Sequence, residues 1–186
     1  GSMNFVKRSR GAGAVANHWR MDERGHRPWQ IRWQPVCAST EAVMTKWLRD
    51  KPLIGDQPRA IFADRQTHGR GQQGRVWHSP QGGVWVSAAI PRSWLKGSTE
   101  LLGLAIAAAL TETLEGYGVS VSIKWPNDLL VGDLKLAGFL PSLIHRGGRL
   151  RLARIGLGLN VLNQVPNGAI ALNQIIKLSK CDFMNW

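Results

Sequence analysis

The stretch HGRGQQGRVWHSPQGG, residues 68–83, decides which class of fold the sequence can adopt. Three of its glycines have the spacing G-x-G-x-x-G: Gly69, Gly71 and Gly74. In a dinucleotide-binding fold a helix follows these glycines, and an acidic residue about 20 positions on holds the ribose. Pro80 and the pair Gly82-Gly83 disfavour that helix, and the next acidic residue is Glu100. The stretch therefore predicts an anion-binding loop, in which backbone N–H groups and arginine side chains contact the ligand.

Local patterns outside this loop predict two helices and a series of strands. The helices are expected at residues 39–50, capped by Ser39, and at 98–115, capped by Ser98. The second helix is apolar on nearly every side, so we expect it to be buried. Strands are expected at 59–64, 84–90, 121–125, 128–131, 134–140 with a continuation to 144, and 150–159.

Turn residues in the second half of the chain predict two hairpins. Gly132-Asp133 suits a two-residue turn between the strands 128–131 and 134–140. Gly147-Gly148 suits the turn before the last strand. Pro141 has no backbone N–H, so we expect an edge position or a bulge where it lies.

The net charge of +12 and the pI near 10.9 favour a polyanionic or phosphorylated ligand. Residues 1–35 hold seven Lys and Arg against two acidic residues, a net charge of +5 with little apolar periodicity. We therefore expect the first three residues to be a tag remnant and 1–28 to be a disordered basic arm. A single domain is expected at 29–186. No helix-turn-helix, zinc-finger or aromatic-basic RNA motif follows the arm, which leaves a nucleic-acid-binding module as the weaker alternative.

The cysteines and histidines give little sign of a metal or disulfide scaffold. Cys37 and Cys181 lie far apart and outside any C-x-x-C pattern, which is typical of a protein from the reducing cytoplasm. The five histidines have no partners at helical spacing, so we expect no protein-bound zinc. No run reaches the roughly 18 apolar residues that span a bilayer, and we expect a soluble cytoplasmic protein without a membrane partner.

Three blocks, in this order, carry a resemblance to a known family: GRGQQGRVWHSPQGG (69–83), KWPNDLLVGDLKLAGFL (124–140) and GLGLN (156–160). They resemble the signature blocks of monofunctional biotin–protein ligases, and the resemblance extends from Trp33 to Leu172. It implies an α+β fold with a mixed, largely antiparallel sheet flanked by helices, like the catalytic domains of class II aminoacyl-tRNA synthetases. It also implies that biotin and ATP, with Mg²⁺, form biotinyl-5'-AMP, and that a lysine of the biotin carboxyl carrier protein of acetyl-CoA carboxylase then accepts the biotin.

The resemblance assigns the ureido end of biotin to four polar residues: Ser39, Thr40, Gln66 and Ser87. It places Gly138 and its strand near the ring, and Trp77 over the tail. Each assignment has a purely structural alternative. Ser39 and Thr40 suit a helix cap, Ser87 an ordinary strand position, and Trp77 the core.

The resemblance assigns the charged groups of both substrates to residues in the same blocks. The biotin carboxylate and the phosphates fall to the loop and to two cations beyond it: Gly69, Arg70, Gly71, Gly74, Arg75, Lys124 and Lys135. Asn127 is placed at the phosphates and Asn160 at the adenine side. Lys135, Arg70 and Asp128 are the expected catalytic residues, with Asp128 orienting or deprotonating the carrier lysine. The alternatives are solvated arginines, strand-covering lysines and a Pro-Asn-Asp turn.

Two departures from the family pattern limit these expectations. The family often has a second arginine where this chain has Gln72, so we expect faster loss of biotinyl-AMP and more promiscuous labelling. The chain also stops without the small C-terminal β-barrel, and it shows no winged-helix pattern before Trp29. A chain that binds biotin without completing transfer therefore stays open, as do a lipoate-type ligase and the choice between a monomer and a homodimer.

Overall fold

The computed structural model describes residues 29–95 and 102–177. Two α-helices fall in these ranges, α1 (Thr40–Asp50) and α2 (Leu102–Gly116). The strands are β1 (Gln30–Cys37), β2 (Arg59–Gln66), β3 (Val84–Pro91), β4 (Ser122–Lys124), β5 (Asp128–Val131), β6 (Leu134–Arg146) and β7 (Arg149–Leu159). No helix in the described ranges is both long and apolar enough to cross a membrane. The predicted basic arm at 1–28, the cap at Ser98, Cys181 and the end of the chain from residue 178 lie outside these ranges.

The described strands form one mixed sheet in the order β1-β2-β3-β7-β6-β5-β4. β1 and β2 are parallel and are connected through α1, whereas the other neighbouring pairs are antiparallel. This confirms the predicted largely antiparallel sheet. β1 was not predicted. Pro35 and the weak alternation of apolar residues are unlike a typical strand, and the partner strand β2 begins 22 residues after β1 ends.

The two helices pack on opposite faces of the sheet. Ile61 of β2 packs with Met44 and Trp47 of α1. Its neighbour Phe62 points the other way and belongs to the larger core, which includes Leu114 of α2. Alternate side chains of one strand therefore supply two cores, as the period of two in a strand requires.

Helix α2 is less buried than its composition predicts, so the expectation of burial on all sides was wrong. Ala107 and Leu114 are buried, whereas Leu104 is 39% exposed. The helix contacts the sheet near β5 and β6 along one face. Alanines occupy several of the outward positions, and their small side chains leave little apolar area in water.

Both predicted hairpins are present. Gly132 has φ +58° in the β5–β6 turn, and Gly147 and Gly148 have φ +60° and +74° in the β6–β7 turn. β5 pairs with β6 only as far as Gly138, so at Pro141 the long strand has one neighbour, β7. This agrees with the predicted edge position, since proline is tolerated where one side of a strand is unpaired.

Candidate functional site

A cleft with about 810 Å³ of empty space, counted out to solvent, opens on the α1 face of the sheet. Its walls are the N-terminus of α1, the loop between β2 and β3, the turn before β5, and the strands β6 and β7. Eleven of the sequence-predicted site residues line it: Ser39, Thr40, Gln66, Arg70, Gly71, Arg75, Trp77, Asn127, Asp128, Lys135 and Gly138. The fold thus brings together segments that are distant in the chain.

One end of the cleft consists of neutral hydrogen-bonding groups around the start of α1. The Ser39 hydroxyl accepts a hydrogen bond from the Ala42 N–H at 3.1 Å, so this residue is the helix N-cap. The Gln66 side chain accepts from the Thr40 N–H at 2.7 Å and donates to the Ser79 hydroxyl at 2.8 Å. Its amide therefore joins the helix to the loop, and a ligand contact would compete with these bonds.

A buried polar network lies beneath this end. Ser87 is fully buried, and its Oγ is 2.8 Å from Thr40 Oγ1 and 2.7 Å from Glu41 Oε1. Glu41 also forms a salt bridge of 3.1 Å with Arg154 of β7. Glu41 lines the cleft, although an acidic residue at this position is sufficiently explained in the sequence by the favourable charge that it places in the first turn of the helix. Its partner Arg154 lies 113 residues away, which no local pattern reveals.

The other end of the cleft is cationic. Lys135 Nζ is 3.0 Å from Asp128 Oδ1 and 4.6 Å from the centre of the Trp77 ring. Arg70 and Arg75 are exposed, and neither forms a salt bridge to any residue that the structure describes. The positive charges of three side chains therefore converge here, with one carboxylate between them.

Asn127 contributes an unused donor at the cationic end. The residue is 5% exposed, and its Nδ2 finds no hydrogen-bond partner among the described residues. A buried amide nitrogen without a partner costs about 1–3 kcal/mol, which a ligand oxygen would relieve. Asn127 is thus suited to contact a ligand oxyanion.

A β-bulge turns Lys135 toward the cleft. In the β5–β6 pairing, Leu129 faces Ala137 and Leu130 faces Lys135, so Leu136 has no partner on β5. The extra residue moves Lys135 onto the same face as Gly138, although the two are an odd number of positions apart. Without the bulge the ammonium would point toward the opposite core.

Trp77 lies flat on the sheet because two strand glycines leave room for it. A Cβ on Gly138 would be 2.9 Å from the indole, and one on Gly158 would overlap the indole nitrogen. The two glycines are directly opposite each other on β6 and β7. Trp77 therefore lies against β6 and β7 as part of the lining of the cleft.

The glycine loop is more closed than predicted. The N–H groups of Gly71, Arg75 and Trp77 donate to the carbonyls of Arg75, Gln72 and Gly69 at 2.7–3.0 Å. These three amides bind within the loop in this form, so the expectation of bare amides does not hold for them. Gln73 and Gly74 have positive φ values of +55° and +71° at the tip of the loop.

A second cleft of about 550 Å³ adjoins the first and shares Trp77 and Lys135 with it. It is lined by Asn160, His78 and the segment 166–169, so Asn160 does not line the first cleft. No group of three or more His, Cys, Asp or Glu side chains within the described ranges could hold a metal ion.

Four predicted site residues line neither cleft: Gly69, Gly74, Ser87 and Lys124. Gly69 is buried, and a Cβ there would be 2.5 Å from Ser79 Oγ, so it permits close packing within the loop. Ser87 lies below the cleft floor in the polar network. Lys124 is exposed on the edge strand β4, where it pairs in register with Asp128.

The sequence is similar to those of known proteins over most of the described residues. Residues 35–160 match the biotin/lipoate A/B protein ligase family. The bifunctional ligase/repressor BirA of Bacillus subtilis is 42% identical over 109 residues, which cover 58% of this chain and 33% of that protein. The chain spans 33–44% of the length of the first curated relatives that it matches.

Solved structures show the same fold. The biotin acetyl coenzyme A carboxylase synthetase of Helicobacter pylori, with bound biotinylated ATP, is 25% identical with a TM-score of 0.66, over 83% of this chain and 69% of that one. The biotin protein ligase of Aquifex aeolicus, in complex with biotin and ATP, is 28% identical with a TM-score of 0.62, over 84% and 66%. The fold and the resemblance that the sequence predicted are thereby confirmed, and this chain belongs to the biotin/lipoate A/B protein ligase family.

Proposed function

We propose that this protein activates biotin with ATP to biotinyl-5'-AMP and transfers the biotin to a lysine of a biotin carboxyl carrier domain, that of acetyl-CoA carboxylase. The observation that carries the proposal is the polarity of the cleft. Hydrogen-bonding groups without net charge, since Glu41 is paired with Arg154, lie at one end, and Arg70, Arg75 and Lys135 line the other. Biotin has the same polarity, with an uncharged ureido ring at one end and a carboxylate at the other.

In the first step a carboxylate oxygen of biotin attacks the α-phosphorus of ATP and pyrophosphate leaves. The carboxylate and the phosphate are both anions, so they approach only where positive charge offsets their repulsion. Lys135 is shared by both clefts and can contact the two anions at once. Holding them in line accounts for much of the expected rate enhancement, because this reaction requires no covalent intermediate with the enzyme.

In the second step the carrier lysine attacks the mixed anhydride, an amide forms and AMP leaves. A free lysine has a pKa near 10.4 and is largely protonated at neutral pH, so it must lose a proton before it attacks. Asp128 is at the cationic end with its carboxylate 3.0 Å from Lys135 Nζ. When the phosphate draws Lys135 away, Asp128 becomes available to orient the incoming amine and to accept its proton.

Magnesium enters this proposal with ATP. The described residues supply no cage of carboxylates for it, and Mg²⁺ in nucleotide sites is commonly held by phosphates with one or two carboxylates. Asp128, with the amide oxygen of the adjacent Asn127, fits that smaller requirement. We place the reaction in the cytoplasm, because Cys37 is unpaired in the structure and the second cysteine is outside any paired motif.

The test is pyrophosphate release from biotin and MgATP, followed by streptavidin blotting of an added biotin carboxyl carrier domain. We expect pyrophosphate release that depends on biotin, and labelling of the carrier that depends on its acceptor lysine. Release without labelling would restrict the protein to activation, in line with a transfer-deficient chain. Release with lipoate in place of biotin would contradict the proposal, since the family also includes lipoate ligases.

A further inference from the structure

Glu41 occupies a position in the cleft that the stability of α1 does not require. An acidic residue in the first turn of a helix stabilises it by only about 0.3–1 kcal/mol and can do so while facing water. The Glu41 side chain is instead 25% exposed and turned onto the sheet. Its Oε1 is 2.9 Å from the place where a Cβ on Gly156 would lie, so the glycine leaves room for the carboxylate on the cleft floor.

The protons of the buried network can be assigned from its chemistry. A carboxylate paired with Arg154 accepts hydrogen bonds only, so Ser87 must donate its single proton to Glu41. Ser87 Oγ also lies 2.8 Å from Thr40 Oγ1, and Ser87 has no second proton to give. Thr40 must therefore donate to Ser87, and the lone pairs of Thr40 Oγ1 remain for the cleft.

The same reasoning makes Ser39 a donor. Its oxygen accepts from the Ala42 N–H as the helix cap, which leaves the hydroxyl proton for an acceptor in the cleft. This end of the cleft thus offers one donor, Ser39, beside two acceptors, Thr40 and the Glu41 carboxylate. A cyclic urea carries the complementary set, a carbonyl oxygen between two N–H groups.

We propose that Glu41 is a specificity-determining residue that makes this end of the cleft an acceptor of ligand N–H groups, an assignment that rests on the proposed function. Its carboxylate contacts the N–H of the ligand head and fixes the direction of the Thr40–Ser87 hydrogen bonds. A cyclic urea satisfies all three groups, whereas a cyclic guanidinium loses the carbonyl that Ser39 would contact and instead pairs its positive charge with the carboxylate. A ring without N–H groups makes no hydrogen bond to either acceptor and binds more weakly.

Arg154 weakens the attraction between Glu41 and a cationic head group. Its guanidinium lies 3.1 Å from Glu41 Oε2 and also donates to the Glu41 carbonyl and the Thr45 hydroxyl. It holds the carboxylate in place, and its charge offsets part of the attraction between the carboxylate and a cationic head group. Removal of the Arg154 charge should therefore favour a cationic head group relative to an uncharged one. Removal of the Glu41 charge should have the opposite effect.

The experiment compares biotin with 2-iminobiotin, whose cyclic guanidine is protonated at neutral pH. Calorimetry with the full chain gives both dissociation constants for the unaltered protein and for Glu41→Gln. We expect Glu41→Gln to weaken the binding of 2-iminobiotin by about 10-fold to 100-fold and the binding of biotin by several-fold at most. The reason is that charge-assisted hydrogen bonds are roughly twice as strong as neutral ones. Glu115→Gln is the matched control, since Glu115 is exposed at the end of α2, outside the cleft, and should change neither constant.

Arg154→Met provides the second arm, with an effect of the opposite sign. We expect it to raise the affinity for 2-iminobiotin relative to biotin by several-fold, even if it lowers both through loss of packing. If Glu41 had a merely structural role, each variant would weaken the binding of the two compounds by the same factor. That result would overturn the assignment. If the unaltered chain binds neither compound, the proposed function fails with it; if biotin binds and the ratio does not respond, only the role of Glu41 fails.

Discussion

Lys135 lies between two groups that hold it loosely enough for substrates to displace them. Its salt bridge with Asp128 joins side chains that are 35% and 24% exposed, and partly exposed pairs of this kind contribute about 0–1 kcal/mol. Its contact with the Trp77 ring is of a similar size, about 0.5–1 kcal/mol. A bound carboxylate or phosphate attracts the ammonium more strongly than either neighbour, since both can form short charge-assisted hydrogen bonds.

Replacement of Lys135 tests this account directly. We expect Lys135→Ala to lower the rate of biotin-dependent pyrophosphate release by about 100-fold or more, the usual effect of removing one group that stabilises developing charge. Lys46→Ala is the control, because Lys46 pairs with Asp50 on the exposed side of α1 and lines neither cleft. Equal rates in the two variants would remove Lys135 from the reaction.

Cys37 offers a separate prediction at the residue scale. Burial raises the pKa of its thiol from 9.0 to about 11. Only the thiolate reacts with alkylating agents, so at pH 8 about one molecule in a thousand is reactive. In a Cys181→Ser background we expect iodoacetamide labelling of the folded protein to rise about tenfold per pH unit from 8 to 10. Labelling at pH 8 as fast as in urea would show that the thiol is not buried.

At the scale of elements, sequence prediction succeeded where the structure depends on local turn chemistry. The cap at Ser39, the hairpin at Gly132 and the rejection of a helix after the glycine loop all follow from neighbouring residues. It failed where distant segments decide. β1 depends on a partner strand beyond α1, and the bulge at Leu136 appears only in the pairing with β5.

The glycine loop carries a prediction about retention of the intermediate. Gln72 lines the first cleft with Arg70 and Arg75, at the position where the resemblance to biotin–protein ligases leads us to expect a further arginine. We expect Gln72→Arg to lengthen the residence of biotinyl-AMP about tenfold in a single-turnover release assay, the effect of about 1.4 kcal/mol from one more charged hydrogen bond. It should also reduce labelling of non-carrier proteins.

Gln73→Arg is the control for this change, because it adds the same charge at the next position, which lines neither cleft. If both variants retain the adenylate equally, the effect comes from overall loop charge rather than from position 72. If neither differs from the unaltered chain, Gln72 does not account for any leakage.

The two strand glycines below Trp77 carry a further prediction. Gly158→Ala places a methyl group where the indole nitrogen lies, so Trp77 must move off the sheet. We expect the affinity for biotin to fall by about 10-fold or more, while the urea midpoint of unfolding changes little, since Trp77 belongs to a surface loop. Gly116→Ala has no atom within 4 Å of its new Cβ and is the control for the substitution. Unchanged binding would show that Trp77 does not cover the ligand.

At the scale of the whole molecule, the first cleft is assembled from parts of the chain that are distant in sequence and are held together by the sheet and by side-chain contacts such as the Glu41–Arg154 salt bridge. The neutral end comes from α1 and the cationic end from the loop and from β5 and β6, and β7 lies beneath them. A ligand that contacts all of these segments at once favours the folded state over the unfolded one. Binding should therefore raise the melting temperature of the entire domain rather than order one loop.

Thermal unfolding can separate the three classes of function that the sequence left open. At a biotin concentration of about 100 times its dissociation constant, linkage stabilises the fold by about 2.7 kcal/mol. For a domain of this size that raises the melting temperature by about 5–10 °C. Lipoate has a carboxylate but no N–H groups on its ring, so it forms no hydrogen bonds with Thr40 or Glu41 as acceptors, and we expect less than half of that shift. Because biotin carries one charge, an increase from about 50 to 200 mM salt should change the melting-temperature shift with biotin little. The affinity of a nucleic-acid-binding module for duplex DNA would instead fall by about a thousandfold or more over the same range of salt. A larger shift with lipoate would make this chain a lipoate ligase, and a salt-sensitive shift with DNA alone would make it a nucleic-acid-binding module.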